Sequence, residues 1–345
     1  MKNYIYWLLG CFFSTCLWAN KTVNVYVWGG EIPKQVLHDF EQKTGITVHF
    51  STYDSNETMY AKLRASKQGI YDVILPSAYF VERMKKHGML APLDHQQIPN
   101  LTNLDSSFTN NEYDPDNRYS VPLVWGTTGI FYTHKQKQSP PLSWSDLWNS
   151  SWRNQLMLLD DSREVFAIAL MSLGYNPNDD DPQHIEKAYE HLLHLMPNVK
   201  LFASDSIQAI MIDEDALAGL AWNADAYKAQ QENRQIHFAY PQEGFIIWVD
   251  CLAIPHNAPH PKEAYQFINF LLTPKAGKQI ALIEGHALTN AKAKALLPES
   301  IRTNPIVYPD KTTLKNGHFQ RDIDESRLSL YNQYWQQLKL SFSMW

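Results

Sequence analysis

VNVYVWGGEIPKQVLHDFEQKTGITVHFSTYDSNETMYAKLRASKQGIYDVILPSAYFVERMKKHG, residues 23–88, decides the fold. Val23 to Val27 is rich in β-branched and aromatic residues, which reads as a strand. Pro33 to Lys43 follows as a helix: proline suits the first turn, Val36, Leu37 and Phe40 share a face, and Gly45 ends it. Ile46 to Ser51 is the next strand. Ser55 caps a helix that runs to Ser66, with Met59 and Leu63 four apart and Gly69 as the stop. Tyr71 to Leu75 is a third strand, and Ala78 to His87 a third helix stopped by Gly88. Strands alternating with helices imply a parallel sheet with right-handed crossovers.

Further along, the same style returns. Leu156 to Leu159, Leu217 to Trp222 and Ile236 to Tyr240 read as strands. Ser162 to Leu173 and Ile185 to Leu195 read as helices. Phe245 to Ile254 is a long apolar extended run, a candidate for crossing between two domains. Pro261 to Leu272, Pro274 to Glu284 and Leu328 to Leu338 complete the helices. A chain of 345 residues suits about two domains. With 44% hydrophobic and 19% charged residues it is built for a packed core.

The N-terminus has a different character. Met1 to Ala19 carries Lys2, an apolar run from Tyr4 to Trp18 and a small residue at its end, the pattern of a secretory signal peptide. Leu8-Leu9-Gly10-Cys11 resembles a lipoprotein cleavage box only loosely, because the apolar run before it is very short. Removal of this leader leaves Cys251 as the sole cysteine of three, so the exported chain has no internal disulfide. The full chain has 30 Lys and Arg against 36 Asp and Glu, a net charge of −6. An acidic balance argues against a nucleic-acid binder, which needs a basic face for phosphates.

In sheets of this kind ligands sit beyond the carboxyl ends of the strands. The residues there fall into two types. Trp28, Tyr79, Trp222 and Trp248 are aromatic. Asp161, Asp225 and Asp250 are acidic, with Glu31 and Glu164 nearby. This combination suits capture of an organic ammonium ion. Aromatic faces attract a cation at about 0.5–2 kcal/mol per contact, and carboxylates accept its hydrogens at about 1.5–3 kcal/mol per charged bond. Each residue also has a plainer role. Strand-end tryptophans are common core residues. Asp161 and Glu164 stand as D-x-x-E at a helix start, a capping pattern. Asp250 is the most informative acid, because a carboxyl inside an apolar run is costly unless partnered.

Other patterns carry little. Asn176 to Pro182 is an acidic loop without calcium-loop spacing. His184, His191 and His194 lie on one helix, more in keeping with an exposed face than with zinc. Trp28-Gly29-Gly30 is no dinucleotide fingerprint. P-loop, G-x-S-x-G and H-E-x-x-H motifs are absent from the sequence, and no cofactor is implied.

Five blocks carry a resemblance: STYDSNETMYAKL (51–63), YDVILPSAYFVERM (71–84), DDSREVFAIAL (160–170), LMPNV (195–199) and WVDCLAIP (248–255). They are similar to the periplasmic spermidine/putrescine-binding proteins of polyamine ABC transporters, and the similarity runs from about Val23 to Leu338. The resemblance implies an α/β, two-lobed type II periplasmic-binding fold, each lobe a mainly parallel sheet flanked by helices, with the ligand cleft between them. Lobe one is expected at 22–126 plus 250–294, lobe two at 127–249 plus 295–345. The family's ligand contacts fall on Trp28, Ser77, Tyr79, Asp161, Glu164, Trp222, Trp248, Asp250 and Gln320. Three positions depart from the spermidine binders. Gly29-Gly30-Glu31 replaces a Thr-Glu-Tyr run, His286 replaces an aromatic, and Asp225 stands where those proteins carry a small residue and putrescine binders an acid.

The expectation is therefore a monomeric periplasmic binding protein, without catalysis, that delivers a linear polyamine to an inner-membrane permease. A polyamine sensor docking on a membrane receptor is the alternative within the same fold. An exported hydrolase using Asp161 and Glu164 is the alternative from another class. If His286 lines the site, a protonated imidazole there would repel a bound ammonium, and affinity would drop below about pH 6.5.

Overall fold

The computed structural model describes residues 21–66, 68–133 and 140–342. The expected leader, with Cys11 and Cys16, lies outside the described residues. The strands are β1 (Thr22–Trp28), β2 (Thr47–Tyr53), β3 (Val73–Ile74), β4 (Ser120–Thr133), β5 (Leu156–Leu159), β6 (Val199–Ala203), β7 (Ala218–Trp222), β8 (Ile236–Ala239), β9 (Phe245–Ala253), β10 (Ala287–Leu288) and β11 (Gly317–Phe319).

The opening β-α-β-α-β run forms as its sequence dictates. β1 pairs in parallel with β2 over its whole length, Thr22 opposite Thr47 and Trp28 opposite Tyr53, and in parallel with β3. The helix Lys34–Thr44 buries Val36, Leu37 and Phe40 and ends at Gly45, whose φ of 69° is the left-handed conformation that glycine adopts without strain. The Phe40 ring meets Phe267 edge to face at 5.0 Å, which seats this helix against Pro261–Leu271. Ser55 caps Asn56–Ala65 by accepting from the Thr58 amide. In the second half, β5 lies parallel to both β6 and β7. There Phe166 on Ser162–Ser172 packs edge to face at 5.1 Å on Tyr331 of the last helix, Glu325–Phe342.

The strand order is β2-β1-β3-β9-β4-β7-β5-β6, with β8 and β10 on β4 and β11 on β9. The sheet is mixed where the sequence reading expected mainly parallel lobes. β4 runs antiparallel to β9, β7, β8 and β10, and β3 antiparallel to β9. Parallel pairs hold at the two outer parts and between β11 and β9. The middle is mixed because β4 passes from one half of the sheet directly into the other. Ser120 to Thr127 pair with β9, and Thr128 to Tyr132 pair with β7.

β4 was not legible as a strand. Pro122, Gly126 and Gly129 all weaken a strand pattern. The structure accommodates the proline beside a register shift between Pro122 and Val124. It requires the glycines, because a Cβ at Gly126 would lie 2.2 Å from Trp248 Cζ2 and one at Gly129 would lie 2.4 Å from Phe238 Cζ. The helices 207–212 and 223–232 were likewise not anticipated. Among the described residues no helix is long and apolar enough to cross a membrane.

Candidate ligand-binding cleft

The carboxyl ends of the parallel strands converge on a cavity of about 570 Å3, within the range of small-molecule sites. All twelve residues singled out from the sequence line it: Trp28, Glu31, Ser77, Tyr79, Asp161, Glu164, Trp222, Asp225, Trp248, Asp250, His286 and Gln320. They come from the ends of β1, β3, β5 and β7, from β9, and from the segments that follow Pro274–Glu284 and β11. No lysine or arginine lines it among the described residues, whereas eight carboxyl side chains do.

One wall is organised around Asp250. It points from β9 toward Ser77, the residue before the helix Ala78–Lys86, and the Ser77 hydroxyl donates to its Oδ1 at 2.6 Å. Asn56 sits behind. Its amide donates to Ser77 Oγ at 3.1 Å and to the Tyr79 hydroxyl at 3.2 Å, while its oxygen accepts from the Ser77 backbone N–H. Asp250 is 5% exposed. Burial, with the Glu31 charge adding to it, holds its carboxyl well above the usual range against the pull of Ser77 and His286. Trp28 packs on Tyr53 at 4.9 Å, and Tyr53 is anchored by its hydroxyl on the Leu75 carbonyl.

A second group lies at the start of the helix Ser162–Ser172. Asp161 caps it, Oδ1 accepting from the amides of Arg163 at 2.8 Å and Glu164 at 3.1 Å. The capping reading holds, and the same half-buried carboxyl also lines the cavity. Glu164 is 4% exposed, and its Oε2 has no hydrogen-bond partner. Burial pushes its carboxyl up to about 8, and the Asp161 charge adds to the rise. Asp161 is raised by burial as well.

A third group gathers Glu31, Asp225, Glu284 and His286. Gly30, at φ 78°, makes the turn after β1 that carries Glu31 inward. The His286 Nε2 lies 3.0 Å from the Gly30 carbonyl and 3.6 Å from Glu31 Oε1. The other ring nitrogen, Nδ1, is buried without a partner. His286 also stands edge-on to Trp248 at 6.0 Å. Glu31 is 5% exposed with Oε2 unpartnered. Burial, then the charges of Glu284 and Asp225, push it up to about 8. Asp225, in the first turn of 223–232, accepts from the Gln208 amide at 2.9 Å. Burial raises its carboxyl, with Gln208, His286 and Lys228 opposing.

Asn56, Gln208 and Glu284 belong to the cavity and were not singled out from the sequence. Asn56 had a signal, since it opens a helix directly after the strand end at Tyr53. Gln208 had none. It reaches the cavity through Ser206, whose φ of 55° turns the chain before 207–212. Glu284 reads as a helix C-terminal residue, and only the packing of that end beside Glu31 brings it in. Elsewhere the acidic loop serves structure: Asp181 caps Pro182–Leu195 and Asp179 meets His184 at 2.9 Å.

Physically, the cleft offers buried carboxyls in clusters, aromatic faces beside them and no lysine or arginine among its described residues. A cationic, partly apolar chain satisfies both elements. The model of the bacterial extracellular solute-binding protein family matches residues 35–309. The spermidine/putrescine-binding periplasmic protein of Escherichia coli K12 is 42% identical over 321 residues, covering 93% of this chain and 92% of that protein. The putrescine/agmatine-binding protein of Pseudomonas aeruginosa PAO1 is 32% identical, covering 89% of each. Among solved structures, one from Listeria monocytogenes superposes with a TM-score of 0.90 at 35% identity, covering 93% of this chain and 99% of that one. The spermidine/putrescine substrate-binding protein PotD of Streptococcus pneumoniae gives a TM-score of 0.79 at 34% identity over the same shares.

Proposed function

Because the chain belongs to the bacterial extracellular solute-binding proteins, we propose that it captures a linear polyamine, spermidine or putrescine, and presents it to the permease of an ABC transporter. The observation that carries this reading is the cavity wall: eight carboxyls, the aromatic faces of Trp28, Tyr79, Trp222 and Trp248, and no lysine or arginine among its described residues. Ammonium groups would sit against Asp161 and Glu164 at one group, and against Asp250, Glu31 and Asp225 at the others. The indoles would cover the methylenes between. His286 Nδ1 and Gln320 would add hydrogen-bond acceptors. A few charged hydrogen bonds at about 1.5–3 kcal/mol each suffice for micromolar affinity, about −8 kcal/mol, after ordering costs.

The site works in an exported protein of the periplasm, behind a signal peptide at 1–19, and the protein acts as a monomer. The lobes divide at 22–126 plus 250–294 and 127–249 plus 295–345, and they close over the ligand by hinge motion. The partner switch of β4 between Thr127 and Thr128 supports a hinge there. The same closed rims that a permease reads would serve a receptor, so the sensor reading shares this site. The hydrolase reading has less support, since Asp161 Oδ1 is spent on the helix cap.

The test is calorimetric titration of refolded protein, freed of carried ligand, with putrescine, spermidine and spermine. Micromolar binding of at least one, weakened tenfold or more by Asp250→Asn, is expected. No heat with any of the three would overturn the polyamine reading and leave the fold untouched.

A further inference from the structure

Gln320 lines the cavity from the connection between β11 and the last helix, and its Nε2 is buried without a partner. The backbone around it is held from several directions. Asn178 donates to the Phe319 carbonyl at 2.8 Å and accepts from the Arg321 amide at 2.9 Å. The Asp322 amide donates to Glu82 at 3.1 Å. Two arginines complete the grip. Arg83 donates to the Ile323 carbonyl at 2.6 Å and pairs with Asp322 at 2.8 Å. Arg163 donates to the Arg321 carbonyl at 3.2 Å and lies over the rings of Tyr79 at 5.4 Å and Tyr331 at 5.5 Å. Both arginines are 3% exposed, and neither lines the cavity.

The two arginines come from different helices. Arg83 lies on Ala78–Lys86, the helix that begins at Ser77 and Tyr79. Arg163 lies in the first turn of Ser162–Ser172, between Asp161 and Glu164. One short strap thus ties together the two helices whose starts furnish lining groups of the cavity. Arg163 also bridges them directly, through the Tyr79 ring. Buried guanidinium groups are costly to desolvate, so a pair spent on two backbone carbonyls and Asp322, all outside the cavity lining, calls for a return beyond simple packing.

We infer that Arg83 and Arg163 are positioning residues for ligand capture: by gripping the strap 319–323 they set the spacing of the Tyr79 and Asp161 walls and hold the Gln320 amide at the ligand. The inference rests on the polyamine reading for the nature of the ligand, and on geometry alone for the grip. A cationic ligand needs acceptors, and the two ends of an amide are exchanged by a flip. A held backbone with a free amide therefore offers an acceptor whose place is fixed before the ligand arrives, which lowers the ordering cost of binding.

Two measurements on the whole protein test this. The first is amide hydrogen exchange without ligand. Arg163→Met and Arg83→Met are expected to speed exchange at Arg321 and Asp322 at least tenfold while β1 and β2 stay protected. Unchanged exchange there overturns the grip. The second is titration with putrescine, spermidine and spermine. Arg163→Met is expected to weaken binding tenfold or more, and Arg163→Lys to recover most of it, since lysine keeps a donor and a cation over the rings. Gln320→Ala combined with Arg163→Met should lose less than the product of the two single losses. Met variants that bind as the wild type does, or losses that simply multiply, overturn the positioning role. If Arg83→Met does not fold, Arg163→Met and its lysine rescue decide. A wild type silent with all three amines would refute the polyamine reading, and the exchange measurement would still decide the grip.

Discussion

Ser77 Oγ donates to Asp250 Oδ1 at 2.6 Å across 173 positions of sequence. The bond joins the start of the helix Ala78–Lys86 to the middle of β9 and holds one oxygen of a 5%-exposed carboxyl. Such an arrangement leaves the other oxygen oriented for a cation. Ser77→Ala removes the bond but keeps the acid. It is expected to weaken polyamine binding by about two- to tenfold, the range of about 0.5–1.5 kcal/mol for one hydrogen bond. Asp250→Asn should cost more, because it removes the charge. Equal affinities for Ser77→Ala and wild type in calorimetry would show that the serine does not orient the acid.

Binding should release protons. Burial and neighbouring carboxyls push Glu31 and Glu164 up to about 8. An ammonium beside each favours the ionised form and lowers that value. Affinity is therefore expected to rise as pH goes from 6 to 8, and heats at pH 7 to differ between phosphate and Tris buffers. The charges of Glu284 and Asp225 raise Glu31 and that of Asp161 raises Glu164, and His286 lies against Glu31. The dependence should persist in His286→Gln. A flat dissociation constant and equal heats in both buffers would refute the exchange.

The ligand-free protein should show the opposite trend in stability. A carboxyl raised in the folded state above its unfolded value of about 4.3 binds more protons when folded. Its contribution is fully present below that value and is lost as pH rises through about 8 for Glu31. The melting temperature without ligand should fall between pH 5.5 and 8.5, and Glu31→Gln should flatten the fall. A melting temperature that rises over this window in the wild type would contradict it.

Gly126 holds open the place of Trp248. A Cβ there would meet Trp248 Cζ2 at 2.2 Å and Asn223 Oδ1 at 2.5 Å. Gly126→Ala is expected to cost about 1–3 kcal/mol of stability by overpacking and to weaken binding by displacing the indole. Ligand-induced quenching of tryptophan fluorescence checks the second effect. An unaltered titration in Gly126→Ala would mean that Trp248 does not contribute to the ligand wall.

The local elements were legible because their causes are local. Proline at a first turn, glycine after a helix and a capping serine act within a few residues, and helix Lys34–Thr44 and strand Leu156–Leu159 follow from them. β4 was not legible because its proline and glycines answer to partners far away in the chain, Trp248 and Phe238. The cavity-lining residues at strand ends could be named, because an α/β sheet directs ligands to its carboxyl edge. Gln208 and Glu284 could not, since neither stands at a strand end and only packing brings them to Asp225 and Glu31.

By itself, then, the sequence determined the β-α-β character, the acidic and aromatic identity of the strand ends, and the family that shares its long blocks. Each rests on residue type and short-range spacing, which the chain carries wherever it goes. The tertiary structure alone decided that β4 changes partners between the halves, that carboxyls from separate elements share one buried wall, and that Arg83 and Arg163 hold the strap behind it. Those are consequences of burial. A carboxyl or a guanidinium acquires its meaning from the dielectric, the neighbours and the hydrogen bonds that folding places around it, and none of these is a property of the residue's place in the chain.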